Sequence, residues 1–517
     1  MSDVEIRRNE IIELLYTYKK YSIDDFAKRF GVSRRTINYD IVYLMDFYEI
    51  DTKPGPHGGI SLIDRRPNSH TAYLKPIEIE WLRRKYNEAE TEEVGQYTVL
   101  TDESGNPYDL GGMEIIIADW FSSGEEEEAS SAYDEAHQEY LDWIQETYNF
   151  TIKQQAVTSW GDSPEDYVNY ATTGGDENYV FTLYQGSALT SAIQSGLMYD
   201  LSTLDCLDFS ESKWDSVVKD TMSKGDSVYA MRAMDHEPTA GIYFNKRLLE
   251  EAGIDPESIY ELQRNNEWTW DKFEELCKQV QKDTDNDGVI DLYAMTNFSC
   301  TLYPAAVYSN GGQFIGKDEN GFYNDLESDA TMEALNWALD MIDKYEMVYP
   351  EDAAWDYTYT AFANGEAVFT CAESYKAGDW ADMEDDFGFV CFPMGPRMDH
   401  YVNYAQDNVF VIPSCYDAEK AWKIAFAFNL YNEPVPGFED HEGWKDNYYK
   451  SFRDTESVDE TLAIMVDSGV PMYDKLVNGI DMGPDLFWGI SKDNTPAQKA
   501  ESIRNTWQSY IDTANGK

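Results

Sequence analysis

Ile242-Tyr243-Phe244-Asn245-Lys246-Arg247-Leu248-Leu249-Glu250-Glu251-Ala252-Gly253 reads as an aromatic, apolar strand that runs directly into an amphipathic helix. The pattern predicts a strand near 240–245 and a helix near 246–253, and the same succession recurs on both sides. Upstream, residues 114–121, 150–157 and 179–185 are short runs rich in Ile, Val, Tyr and Phe, with amphipathic helices expected near 131–147 and 187–197. A strand is expected near 227–233. Downstream come helices near 270–282, 331–346 and 417–430 and strands near 387–392 and 408–412. Alternation of this kind argues for an α/β architecture with crossover helices over a sheet, and so many units imply two α/β lobes.

Charge divides the chain at a seam near residue 94. Residues 1–94 hold 15 Lys/Arg and 17 Asp/Glu, the remainder 25 and 80, so almost all of the net charge of −57 falls on the larger part. Two modules with different partners are expected. The 15% aromatic content excludes a disordered chain. Ile11-Ile12 and Leu14-Leu15 are separated by Glu13, so the first thirty residues contain no export-type apolar core. No later stretch has the length of a membrane span. As written, the chain is expected in the cytoplasm. The six cysteines, Cys206, Cys277, Cys300, Cys371, Cys391 and Cys415, form no CxxC pair, and free thiols are expected rather than a disulfide framework or zinc site.

Within 1–94, Ile11, Ile12, Leu14, Leu15 and Tyr18 line one helix face. Ser22 caps a second short helix ending at Phe30-Gly31, and Ser33 caps a third in which Ile37, Ile41 and Leu44 face inward. That leaves Arg34, Arg35, Thr36, Asn38 and Tyr39 outward near the third helix's N-terminus, where a recognition helix carries its base-reading side chains. Residues 49–63 follow as two short strands around a Pro/Gly tip, a wing able to lay Lys53 and His57 along a backbone or minor groove. Ser22-Ile23-Asp24-Asp25-Phe26-Ala27, Gly31-Val32-Ser33-Arg34-Arg35-Thr36-Ile37 and Gly58-Gly59-Ile60 together resemble the winged type-11 helix-turn-helix family of bacterial regulators. The resemblance implies sequence-specific binding of duplex DNA, with Arg34, Arg35, Thr36 and Asn38 as contacts. A near-neutral winged helix also serves as a protein adaptor, because it lacks the positive excess that supplies nonspecific DNA affinity. Ile77, Trp81 and Leu82 lie on a helix-like run that could join two copies, and the acidic, Gly/Pro/Asn-punctuated 88–112 reads as linker. The expected divisions are therefore 1–66, 67–112 and 113–517.

The larger part carries Tyr108-Asp109-Leu110-Gly111-Gly112, the 242–253 stretch, Trp268-Thr269-Trp270-Asp271-Lys272-Phe273, Asp283 to Asp291 and Phe362-Ala363-Asn364-Gly365-Glu366-Ala367-Val368. In this order they resemble the family 1 extracellular solute-binding proteins, the sugar-capturing components of bacterial ABC importers. The resemblance implies a bilobal periplasmic-binding-protein-like fold, two α/β lobes with a hinge, closing on a mono- or oligosaccharide. It also implies an ABC permease partner and an extracellular, membrane-anchored location if the chain is an importer component. Sugars stack their C–H faces on aromatic rings and need charged or amide groups for their hydroxyls. By position, the candidate ligand residues are Trp120, Tyr184, Gln185, Ser187, Asp235, His236, Glu237, Trp355 and Trp380, with Trp355 and Trp380 expected in loops.

Asp283, Asp285, Asp287, Gly288 and Asp291 match the first nine positions of a calcium loop, but Ala294 replaces the bidentate Glu at the twelfth. The run is a candidate Ca2+ site or a solvated acidic turn. Gly311 to Lys317 imitates a phosphate loop, yet Asp318 stands where Ser or Thr would hold magnesium. No nucleotide is expected there. Neither HExxH nor GxSxG occurs, so the sequence points to a binding protein and not an enzyme. Two functional expectations remain open: a sugar-responsive transcription regulator, and an importer's substrate-binding component with a passenger N-terminal domain.

Overall fold

The computed structural model separates into two compact units, Met1–Gln96 and Tyr97–Lys517. In the first it describes residues 7–8, 11–12, 14–15, 21–30, 32–34, 36–37, 41, 44, 50–53 and 59–62. In the second it describes everything except 124–131, 185–191, 234–237, 284–285, 381, 406–407, 439–441 and 443. The helix-like run around Trp81 lies outside the described residues.

In the first unit, Ile11, Ile12, Leu15, Phe26, Ile37, Ile41, Leu44, Ile50 and Ile60 form one buried cluster. The helix Ile23–Phe30 begins where the Ser22 hydroxyl accepts the Asp25 amide at 3.1 Å, while the Asp25 carboxylate accepts the Ser22 amide at 3.1 Å. This reciprocal pairing satisfies two backbone donors at the helix start. Strands β1 (Ile50–Lys53) and β2 (Gly59–Leu62) pair antiparallel, as expected of a wing, and Tyr21 bonds to Ile60 to tie the wing to the helices.

The second unit holds two four-stranded sheets. In lobe 1, β3 (Met113–Asp119), β4 (Phe150–Ala156) and β5 (Asn178–Tyr184) run parallel. In lobe 2, β6 (Ala240–Asn245), β7 (Tyr293–Asn297), β8 (Ala367–Glu373) and β9 (Phe387–Cys391) lie in the order β9-β6-β8-β7. Strand β10 (Asn408–Val411) returns to lobe 1 and pairs antiparallel with β5. Parallel strands need crossover helices, and these supply the apolar cover on both faces. All six residues of β6 are buried, which explains its unbroken apolar run. Its last residue, Asn245, caps the next helix by accepting the Leu248 amide at 3.0 Å, so the strand-to-helix switch is written in one side chain.

The chain crosses between lobes after Ala233, before Asn408 and after Tyr431. Two crossing segments lie side by side: Met231 and Phe410 exchange backbone hydrogen bonds of 3.0 and 2.8 Å. Arg232 also donates to the Asn408 carbonyl at 3.0 Å. Adjacent crossing strands of this kind make a hinge, since a small dihedral change in each rotates one lobe on the other.

Residues 97–112, read from composition as linker, pack on lobe 1. The Tyr97 ring meets those of Tyr140 and Trp143 at 5.3 and 4.6 Å, Tyr108 meets Trp422 and Phe426, and Leu110 is buried. The compact unit thus begins at Tyr97 and not at Met113. Composition hid this because two aromatics, Tyr97 and Tyr108, in sixteen mostly polar residues suffice to dock a strap on an existing aromatic surface. The imitation phosphate loop is a β-hairpin, Ile315–Asp318 against Gly321–Asn324, with no helix after Gly316 to receive a phosphate.

Candidate functional site

In open α/β sheets ligands bind beyond the carboxyl ends of the parallel strands. The chain places exposed aromatics there. Phe121 follows β3 and Trp160 follows β4, 56% and 62% exposed; Tyr375 follows β8 at 56%. Trp355, 75% exposed, packs its ring 5.6 Å from Phe298, which follows β7. Water-facing rings of this size are costly unless something covers them, and their position at strand ends of both lobes makes this the candidate ligand cleft.

Tyr184 closes β5 with its ring 6.0 Å from Trp160. Burial, and then the carboxylate of Glu373 at the end of β8, raise the pKa of its hydroxyl, with Asp474 and Cys300 adding to the effect. The tips of the two central strands, one from each lobe, therefore lie within electrostatic reach. Glu373 is held by Thr301, which donates at 2.7 Å to one carboxylate oxygen, and by Tyr359, which donates at 3.0 Å to the other. Lys376 stands 4.5 Å from the Tyr359 ring centre and 5.5 Å from that of Tyr375. A fixed carboxylate among rings is the pairing that a hydroxylated, C–H-faced ligand requires.

Asp119, the last residue of β3, is fully buried. One oxygen accepts the amides of Phe121 and Ser122 at 3.1 Å and the Ser122 hydroxyl at 2.8 Å, and the other accepts the Gln154 side chain at 2.7 Å. It fixes the turn that presents Phe121. Across the cleft, Asn297 ends β7 and donates at 2.8 Å to Glu346, which also accepts the Tyr349 hydroxyl at 2.8 Å. Burial pushes Glu346 up to about 7, against the opposing hydrogen bond from Tyr349. Because this folded-state value lies above the unfolded one, the contribution of Glu346 to stability is complete below about pH 4.5 and is lost as pH rises through 7. Glu346→Gln should therefore flatten the fall in stability between pH 5 and 8 by on the order of 2–3 kcal/mol. Denaturant midpoints of both proteins across that range check it; parallel pH profiles would count against a buried Glu346.

Of the ligand residues proposed from sequence, Tyr184 and Trp355 lie at the cleft edges, and Trp120, half-buried, stacks edge-on to Phe121 at 5.6 Å. Trp380 does not belong there. It is 4% exposed, packed edge-on to Tyr243 at 4.7 Å and against Phe362 and Phe387, because its short helix Lys376–Asp379 folds back onto the lobe 2 core. Gln185, Ser187, Asp235, His236 and Glu237 lie outside the described residues. Phe121, Trp160, Phe298, Tyr375 and Glu373 escaped sequence reasoning. Each stands at, or one to four residues past, a strand end, but β7 and β8 were not anticipated and β3 was drawn two residues too long, through Phe121.

In the acidic loop, Asp283 accepts the amides of Asp287 and Gly288 at 3.2 and 2.9 Å, and Asp287 accepts that of Val289 at 2.8 Å. Gly288 has φ +92, which favours glycine. Asp291 is exposed. Asp285 lies outside the described residues, and among the described ones no group of three or more acidic, His or Cys side chains is placed to hold a metal ion. In the first unit, Ser33 caps the third helix by accepting the Thr36 amide at 3.1 Å; Arg34 is exposed beside buried Ile37. Arg35, Asn38, Tyr39 and His57 fall outside the described residues, as does the side chain of Lys53.

Residues 123–427 match the family model of the bacterial extracellular solute-binding proteins, more than half of the chain. The chain belongs to that family. Residues 7–61 match the model of a helix-turn-helix domain, so the family member carries a DNA-binding-type module at its N-terminus. Among curated proteins, none matches by sequence. Solved structures share the fold at low identity. UgpB from Mycobacterium tuberculosis, solved with glycerophosphocholine, is 16% identical over 78% of this chain and 99% of that one, with TM-score 0.54. The cyclic α-maltosyl-1,6-maltose binding protein from Arthrobacter globiformis is 14% identical over the same shares, with TM-score 0.53. The GacH receptor of Streptomyces glaucescens, solved unliganded and with acarbose, is 13% identical over 78% and 99%, with TM-score 0.53. The solute-binding part is a bilobal binding protein, and no described helix is long and apolar enough to cross a membrane.

Proposed function

We propose that the chain is a sugar-responsive transcription regulator, in which a carbohydrate closes the two lobes and the helix-turn-helix domain reads DNA. The observation that carries the sugar is the set of exposed rings at the strand ends of both lobes, with Glu373 fixed among them. Several proteins of this fold bind saccharides by their own description, which supports the same class of ligand. The regulator reading rests on the helix-turn-helix match in the same polypeptide. The aromatic strap at 97–110 packs on lobe 1. Ligand and operator affinities would then be reciprocally coupled, in a homodimer reading paired half-sites in the cytoplasm.

The second reading is an ABC importer's substrate-binding component, located outside the membrane and docking on a permease. It is favoured by family membership and by the acidic charge of the larger unit. DNA binding by the purified full chain to its own upstream region, at fixed salt and with and without oligosaccharides, separates the two. The regulator reading expects retention that changes with sugar. Arg34→Ala with Arg35→Ala should weaken it and lower the salt slope by about 1 for each phosphate that the missing guanidinium no longer neutralises. Tight sugar binding with no DNA retained even at low salt would establish the importer reading.

A further inference from the structure

The segment from Met472 to Val477 lies in the seam between the lobes and divides its side chains between their cores. Met472 and Val477 are buried in the lobe 2 cluster. Leu476 is buried instead in a lobe 1 cluster with Ala118, Phe181, Val218 and Met222, and Tyr473 packs against that same cluster. Beside it, Lys317 of the 315–324 hairpin reaches across to donate at 3.5 Å to the carbonyl of Asp220, on the lobe 1 helix Ser216–Thr221. The hairpin is braced from behind, since the Asn515 side chain accepts the Phe322 amide at 2.9 Å and donates to the Phe322 carbonyl at 2.8 Å. Rotation at the hinge must part this seam.

Asp474 stands in the middle of it, 1% exposed, and neither of its carboxylate oxygens has a hydrogen-bond partner among the described residues. From lobe 2 it faces Tyr308 on the helix Ser299–Ser309, whose own buried hydroxyl also lacks a partner there. From lobe 1, Tyr184 at the end of β5 lies within its electrostatic reach. The charged groups around it are Lys475, next in the chain, and Lys317 and Asp220, both beside Tyr473. Burial pushes the Asp474 carboxyl above the usual carboxylate range, against the pull of Lys475, its own backbone amide and the Tyr308 hydroxyl. An ionised carboxylate without donors is costly to bury, so the shut seam favours the neutral acid. Once lobe 1 swings away, water solvates the charge and that preference disappears.

We propose that the lobes close with uptake of one proton from solvent by Asp474, so that closure, and with it ligand affinity, weakens as pH rises. The sign follows from linkage: the group holds its proton more firmly in the closed form, so closure is favoured at low pH and its advantage is lost as pH rises through the closed-form value. This device rests on the seam and not on the chemistry of what the cleft binds.

The test is hydrogen–deuterium exchange of the unliganded full chain, read by mass spectrometry from pH 5 to 8 and corrected for intrinsic exchange at each pH. Peptides spanning 216–228 and 472–477 report the seam, and peptides of β4 and β9, one in each lobe, are the reference. In the wild type, seam protection should fall by about tenfold or more across the range. In Asp474→Asn, which keeps the shape but does not ionise, it should stay level, while β4 and β9 exchange alike in both proteins, any effect of Glu346 included. Should Asp474→Asn not fold by circular dichroism, Asp474→Ala takes its place and should lose the same slope. Seam protection that is flat in the wild type, or that falls equally in the variant, overturns the proposal. So does a pH effect that the variant removes from β4 and β9 as fully as from the seam, which would assign Asp474 to global stability. No saccharide is added, so failure of the sugar reading would leave this result standing.

Discussion

Trp507→Ala is expected to cost the second unit about 3–5 kcal/mol. Trp507 is fully buried on the C-terminal helix Pro496–Ala514, and its indole N–H donates to Asp485 at 2.9 Å. The helix is locked at its start by Thr495 and Gln498, whose side chains each bond to the other's backbone, so it is not free to slide into the void that alanine leaves. Truncation removes a large apolar surface and also takes one of two donors from Asp485, whose Oδ2 still accepts the Asp481 amide at 3.2 Å. The loss should appear as a lower denaturant midpoint. Trp507→Phe, which keeps a ring and drops only the N–H, should cost much less. A midpoint unchanged by alanine would show that the helix shifts to fill the void.

Asp119→Ala is the second large effect, expected at about 3 kcal/mol with weakened ligand binding. The carboxylate serves four donors in a fully buried setting. Alanine takes the acceptor from the Gln154 amide and from the backbone N–H groups of Phe121 and Ser122 at a half-buried turn, and hydrogen bonds to a charged acceptor are worth more than the mean hydrogen bond. The turn carrying Phe121 would then relax away from the cleft. Asp119→Asn retains an acceptor oxygen and should fall between wild type and alanine. Urea titration monitored by circular dichroism, paired with saccharide titration, checks both effects; an alanine variant of unchanged stability would show that the turn is fixed by other interactions.

Much of the fold was legible because its signals are local. Ser22 and Ser33 announced helix starts and both cap as expected. The runs 114–121, 150–157, 179–185, 240–245, 387–392 and 408–412 became six of the eight strands of the two four-stranded sheets; β6 is the plainest of them, because a strand covered on both faces must be apolar throughout. Strand β8 was missed although it is central in its sheet. Ala367-Val368-Phe369-Thr370-Cys371-Ala372-Glu373 mixes small and polar residues, and it is a strand because β6 and β7 pair with it on either side. Trp380 shows the converse: its sequence surroundings of Gly378, Asp379 and Asp382 read as loop, but the core of lobe 2 takes up its ring.

The sequence by itself determined the two modules, their family resemblances, the strand-helix alternation and the absence of catalytic signatures. These depend on residue type, charge and spacing, which need no partner to be read. Only the tertiary structure decided which aromatics face water. It brought Tyr184 from one lobe to Glu373 of the other, docked the 97–112 strap on lobe 1, and set Trp488 on Gly483 and beside Cys300, 188 positions away. Such juxtapositions arise from strand order and from three crossings of the hinge, a long-range property that no local window of sequence contains.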